Sequence, residues 1–105
     1  MTLDEFYTML QATELPVAYY AFPVDEAPSL PFLVYFETAT DNFAADGIAY
    51  YEIKKMAVEL YTQRRNTELE QTIEQTFTTN GIFWNKELVY LNDERCFEII
   101  YEMEL

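Results

Sequence analysis

The side chains able to do chemistry in this sequence are almost all carboxylates. Asp and Glu number 19 against 6 Lys and Arg, histidine is absent, and Cys96 and Ser29 are the single thiol and the single serine hydroxyl. Without imidazole there is no histidine general base and no imidazole metal ligand, and one cysteine cannot build a thiolate zinc cluster. Ser29 lies between Pro28 and Pro31 with no base beside it, so Ser-His-Asp and Cys-His arrangements are excluded within the chain. Two glycines, Gly47 and Gly81, cannot make a phosphate-cradling loop. What is left to an enzyme is a carboxylate pair, since some of so many acids will lie about 5 to 9 Å apart. No second catalytic residue type accompanies them and no cleft is implied, so the sequence reads as a non-enzyme without a cofactor. Asp41, Asn42 and Asp46 before Gly47 look loosely like a cation-binding loop. The EF-hand spacing and its terminal Glu are missing, and a polar hairpin loop accounts for them without a metal.

The net charge of −13 bears on partners in the same way. Nucleic acids are held mainly by Lys and Arg displacing condensed counterions, which six scattered cations cannot supply. An anionic membrane surface would repel the chain, and no stretch approaches the roughly 18 to 20 apolar residues that span a bilayer. The opening Met-Thr-Leu-Asp-Glu-Phe lacks the basic and apolar regions of a signal peptide, and one cysteine allows no internal disulfide; synthesis inside a cell is expected. Half the residues are hydrophobic, including nine Tyr and eight Phe, so the 105 residues are expected to fold as one domain, 1–105.

The elements that must position these acids follow from local patterns. Thr2 and Glu5 form a capping box ahead of a helix over about 3–13, with Leu3, Phe6, Tyr7 and Leu10 as its apolar stripe and Pro16 ending the run. A short strand over 17–22 precedes a connection with prolines 23, 28 and 31. A strand over 32–38 places Phe32, Val34 and Phe36 on one face and Leu33, Tyr35 and Glu37 on the other. After the 40–47 loop, one long strand over about 48–62, bent or bulged, pairs back as a hairpin. Asn66 or Thr67 caps a second helix, Thr67 and Glu70 offer another capping box, and Leu69, Ile73 and Phe77 repeat along it until Asn80-Gly81 stops it. Strands over 82–91 and 95–105 close as a hairpin through Asn92-Asp-Glu94.

The fold class is therefore α+β, in the order α-β-β-β-α-β-β, a mostly antiparallel sheet with two helices packed on one face. Phe97, Ile99, Tyr101, Met103 and Leu105 make one apolar face of the last strand; Cys96, Glu98, Ile100, Glu102 and Glu104 make the other. That second sheet face is expected to hold Glu98, Glu102 and Glu104 beside Leu33, Tyr35 and Tyr61, too acidic for a core and too aromatic for plain exposure. Phe43, at the tip of an Asp/Asn loop, is either a lid on the core or an exposed interface anchor. Adjacent Phe83 and Trp84 point to opposite faces if that segment is a strand. Arg64-Arg65 is either solvated charge with local acidic partners or a cationic patch for a neighbouring subunit's acids.

Leu3-Asp-Glu-Phe-Tyr with Leu15-Pro-Val-Ala-Tyr19, Pro31-Phe-Leu-Val-Tyr-Phe36, Asp41-Asn-Phe-Ala-Ala-Asp46, Val58-Glu-Leu-Tyr-Thr62 and Phe97-Glu-Ile-Ile-Tyr-Glu-Met103 occur in an order that resembles small proteins of the head-tail gene region of long-tailed (siphovirus-type) phages and prophages of Gram-positive bacteria. The resemblance covers nearly the whole chain, and the element order looks like the tail-terminator, or tail-completion, fold. It implies a structural protein of the virion tail or neck, assembled in the host cytoplasm. It implies a ring of copies, a hexamer, that caps the tail tube and joins it to the neck or head-completion protein. DNA would pass through that ring without being bound specifically. On this reading Asp41, Asn42, Phe43, Asp46, Arg64 and Arg65 are interface candidates, and Glu98, Glu102 and Glu104 are candidates for a lumen wall that repels phosphates over a screening length of about 8 Å. Two alternatives stand beside it: a neck or head-closure protein of the same assembly, and an acidic DNA mimic that inhibits a host defence enzyme.

Overall fold

The computed structural model describes residues 1–40, 43–45 and 48–105, with residues 43–45 and 48–51 in backbone only. Its elements are α1 (Leu3–Gln11), β1 (Val17–Tyr19), β2 (Phe32–Thr40), β3 (Phe43–Ala45), β4 (Ile48–Tyr51), β5 (Lys54–Thr62), α2 (Thr67–Thr79), β6 (Trp84–Leu91) and β7 (Cys96–Glu104). Five strands form one sheet in the order β1-β2-β5-β7-β6, antiparallel throughout except where β1 runs parallel to β2. Both helices pack on one face of it, which is the α+β architecture expected from the sequence.

Local chemistry sets the helix ends. In α1 the Glu5 amide donates to Thr2 Oγ1 (3.1 Å) and the Thr2 amide donates to Glu5 Oε1 (3.0 Å), the reciprocal pair of a capping box. Those hydrogen bonds from Thr2 hold the Glu5 carboxyl below its ordinary pKa. In α2 the cap is Asn66, whose Oδ1 accepts from the Leu69 amide at 3.1 Å. The alternative box of Thr67 with Glu70 does not form, because the Glu70 side chain turns inward to a different set of partners. Gly81, at φ 74°, supplies the left-handed residue that lets the chain leave α2 for β6.

The core follows from the pairing register. Leu33, Leu60 and Ile99 stand side by side across β2, β5 and β7, and Tyr35, Val58 and Tyr101 form the next row. Over these rows sit Phe6, Met9 and Leu10 from α1 and Ile73 and Phe77 from α2, all buried. Burying each such side chain contributes about 1.5–3 kcal/mol. Phe6 meets Tyr35 and Phe77 meets Tyr101, with ring centroids 5.8 and 5.4 Å apart, so α1 lies toward the β2 side of the sheet and α2 toward β7.

Two expectations are corrected. The single long strand over 48–62 is two strands: β5 joins the main sheet, whereas β4 pairs with β3 in a separate two-stranded sheet, so part of the presumed 40–47 loop is strand. Leu33 and Tyr35 are not on the acidic face. Their register with Leu60 and Val58 turns them under the helices, where Tyr35 contacts the rings of Phe6, Tyr7 and Tyr19, and leaves Phe32, Val34 and Phe36 on the other side.

Candidate functional site

The face of the sheet opposite the helices is where the acids gather. Along β7, Glu98, Glu102 and Glu104 share that face as the alternation predicts; Glu98 is half-buried and the other two are exposed. Their neighbours on β5 are Tyr61, Ala57 and Lys55 respectively. Ile100 lies between Glu98 and Glu102, and across β5 the same face continues as Phe32, Val34 and Phe36, with Tyr20 stacked on Phe36 and Phe22 edge-on to Phe32, so an apolar strip on β2 flanks the carboxylates of β5 and β7.

One constellation on it was not singled out from the sequence. Tyr61 Oη lies 2.7 Å from Glu98 Oε2 and 3.3 Å from Glu59 Oε1. A phenol has one proton to donate, and the shorter distance assigns it to Glu98. The contact with Glu59 is then favourable only when Glu59 carries a proton of its own. Burial, followed by the hydrogen bond and charge of Glu98, pushes the Glu59 carboxyl up to about 7, with Tyr61 acting in the opposite sense. Burial and the two carboxylates likewise keep the Tyr61 phenol protonated well beyond its ordinary range. The sequence signal was present as Glu59 and Tyr61 two residues apart on one strand, but nothing local announces that Glu98 arrives beside them from 37 residues away.

Arg64 and Arg65 are adjacent in sequence and separate in role. Arg65 donates from Nε and Nη to the two oxygens of Glu70, at 2.7 and 3.1 Å, a bidentate pair. Glu70 is 1% exposed and also accepts from Lys86 Nζ at 3.1 Å, while Lys86 reaches Glu74 at 2.7 Å. Tyr101, wholly buried, donates to that same Glu74 carboxylate at 2.7 Å. Burial opposes ionisation of Glu70, yet the hydrogen bonds from Arg65 and Lys86 prevail and its carboxyl sits below the ordinary value. Arg64 is exposed and, among the described residues, forms no ion pair. Asp41, Asn42 and Asp46 lie outside the described residues, as does the side chain of Phe43, whose backbone opens β3.

Large exposed apolar side chains concentrate at the two opposite margins of the sheet. Tyr7, Tyr19 and Tyr20 surround the β1 edge; Phe83, Leu88 and Tyr90 lie along or just before the β6 edge, with Phe83 81% exposed. Trp84 is half-buried against Tyr101, the opposite disposition to its neighbour Phe83. Among the described residues, no three carboxylates or thiols converge in a way that could hold a metal ion, and no helix is long and apolar enough to cross a membrane. No protein-family model matches the chain, and no curated protein matches it.

Proposed function

We propose that this protein is a structural subunit of a long-tailed phage, forming a ring that caps the tail tube and joins the tail to the head or neck. The observation that carries the reading is the pair of unlike apolar patches, Tyr7, Tyr19 and Tyr20 at the β1 margin and Phe83, Leu88 and Tyr90 at the β6 margin. Two different patches at opposite edges suit head-to-tail contacts, which close into a ring when the rotation between copies divides a full turn. The sequence resemblance supplies the assembly, and the acidic sheet face supports the conduit: Glu98, Glu102 and Glu104 would present negative charge to passing DNA and keep it from adhering. The β3–β4 hairpin, set apart from the main sheet, would reach an axial neighbour, the tube or the neck protein.

Native mass spectrometry of the purified chain, alone and with its tail-tube protein, followed by negative-stain imaging, tests this. Closed rings, a hexamer on the resemblance, that attach to tube ends are expected. A strictly monomeric protein that leaves tubes untouched overturns it. A ring that binds connector rather than tube moves the protein to the neck, and salt-sensitive capture of a DNA-binding enzyme by a monomer or dimer favours the DNA mimic.

A further inference from the structure

The main sheet ends in two unlike edges, the three-residue β1 and the eight-residue β6. β6 pairs with β7 residue for residue without a register shift and contains no proline, so it has neither of two devices that blunt an edge strand. Its one cation, Lys86, is drawn back to Glu70 and Glu74 of α2. The ladders fix which peptide groups point outward. Lys54 and Leu105 exchange both backbone hydrogen bonds, at 3.2 and 2.8 Å. In an antiparallel pair such exchange recurs at every second residue, so the odd-numbered residues of β7 bond to β5 and the even-numbered ones to β6. Glu98 and Ile100 face Val89 and Glu87, which leaves the N–H and C=O of Lys86, Leu88 and Tyr90 directed away from the sheet. On β1 the Pro16 carbonyl and the Tyr20 amide bond to β2, at 2.8 and 2.9 Å, so Val17 and Tyr19 are the outward residues there. Among the described residues, the one backbone bond made by these outward groups is the Ala21 amide donating to the Tyr19 carbonyl. The side chains agree in layer. Val17 and Tyr19 lie on the helix side, Tyr19 against the Tyr35 ring, and Leu88 and Tyr90 lie on that same side, next to Ile99 and Phe97. Tyr19, Leu88 and Tyr90 are each nearly half exposed.

We propose that β6 of one copy pairs antiparallel with β1 of the next, Leu88 opposite Tyr19 and Tyr90 opposite Val17, so that the sheet continues from subunit to subunit with all helices on one side. The inference rests on the ring reading above and gives its contact a backbone form. β1 and β6 run in opposite senses within the sheet, so copies set side by side in one orientation meet antiparallel. This register brings Leu88 and Tyr90 against Tyr19 and Val17 on the helix side and sets Val89 opposite Ala18 on the other. Sliding by two residues one way puts Glu87 opposite Ala18, and the other way carries Val17 past the end of β6 at Leu91. Three hydrogen bonds form without a competitor, and the fourth shares the Tyr19 carbonyl with Ala21. The β1 edge is selected over a second β6 because a β6–β6 pair leaves β1, with the exposed Tyr7 and Tyr19, uncovered on both copies, whereas a closed ring uses each edge once.

The test has two arms, each on the full chain. Amide hydrogen exchange is measured in the assembly and in the free subunit. The Val17, Tyr19, Leu88 and Tyr90 amides are expected to exchange about tenfold or more slowly on assembly, whereas those of Glu87 and Val89, bonded to β7 in both states, change little. In the second arm cysteines are placed in a Cys96→Ala background and the assembly is oxidised. Opposed residues that do not exchange hydrogen bonds have Cα atoms about 4.5 Å apart, within disulfide reach. Ala18→Cys with Val89→Cys should therefore give a covalent ladder ending at the full ring, and Ala18→Cys with Glu87→Cys, out of register, should not. Rings whose Val17 and Tyr19 amides exchange as in the free subunit, without a ladder, overturn the pairing and leave the ring reading standing. Protection of Leu88 and Tyr90 without Val17 and Tyr19 means that β6 pairs with its own copy, and also overturns it. A chain that never assembles refutes the ring reading and this contact with it. If the cysteine variants fail to fold, the exchange arm on the wild-type chain decides.

Discussion

Replacing Glu59 with Gln should make the protein more stable at pH 8 and leave it nearly unchanged at pH 5. Glu59 holds its proton in the folded protein up to about pH 7, whereas the ordinary value is 4.5. Between those values the native state binds a proton that the unfolded state has released, so stability falls as pH rises through the window. Below 4.5 the penalty is absent; above about 7 it is fully present. The full shift corresponds to about 3 kcal/mol. Glu59 is only partly buried, and solvent screening at such a position reduces this to about 1–2 kcal/mol. Gln keeps the shape and the capacity to donate toward Tyr61 or Glu98, but cannot ionise. Urea unfolding of both proteins at pH 5, 6, 7 and 8 measures the difference, and subtracting the two curves removes the slope that the other acids contribute in common. Carboxyl carbon shifts of Glu59 follow its titration directly. Parallel pH dependences for the two proteins, or a Glu59 carboxyl titrating near 4.5, would refute the reasoning.

Three further outcomes follow from the same geometry. Glu70→Ala removes the shared acceptor of Arg65 and Lys86; both cations are a third or more exposed and Lys86 keeps Glu74, so the loss is screened and should cost about 1–2 kcal/mol in urea unfolding at pH 7; because the Glu70 carboxyl is held below the ordinary value, the difference from wild type should shrink as the pH falls below the usual carboxylate range. Cys96 is buried, and burial, aided by the charges of Glu94 and Glu98, raises its thiol pKa. Its reaction with a disulfide reagent should therefore be slow in the native protein and become fast with urea at the unfolding midpoint, and rapid labelling of the native chain would contradict the placement. On the proposed ring reading, converting Glu98, Glu102 and Glu104 together to Gln should leave rings and tail joining intact while slowing DNA passage, read as delayed ejection from assembled particles; unchanged ejection would refute the assignment of these acids to a lumen wall.

Most of the fold could be read along the chain because its signals are local. The Thr2–Glu5 box, the Ile73–Phe77 repeat and the alternation from Phe97 to Met103 each depend on residues a few positions apart. What failed was long-range. Nothing in Ile48 to Thr62 states that Glu52 and Ile53 divide a strand whose halves join different sheets. The side that Leu33 and Tyr35 take is set by their register with β5 and by the aromatic rings of α1 and β1, not by their own alternation, which assigns two faces without saying which is inside. The site was legible in the same uneven way. Glu98, Glu102 and Glu104 share a face because a strand has period two, whereas Glu59 joins Glu98 only through sheet pairing. Arg64-Arg65 left two readings open, solvated charge with local acidic partners or a patch for a neighbouring subunit, and Glu70 divides the pair by taking Arg65 alone as a local partner.

The place of β7 in the sheet also sets an order of events when the chain is made. It is the last strand in sequence, yet it lies between β5 and β6, which are not bonded to each other. A chain emerging from the ribosome can pair β2 with β5 early, but β6 has no strand to join until residues 96–104 are free. Until then Val58, Leu60 and the apolar side of α2 lack the Ile99, Tyr101 and Met103 surface they bury against. Folding of this sheet is therefore completed from its middle, through contacts of high sequence separation that form slowly. In that interval the repulsion among a large excess of carboxylates helps keep nascent copies apart.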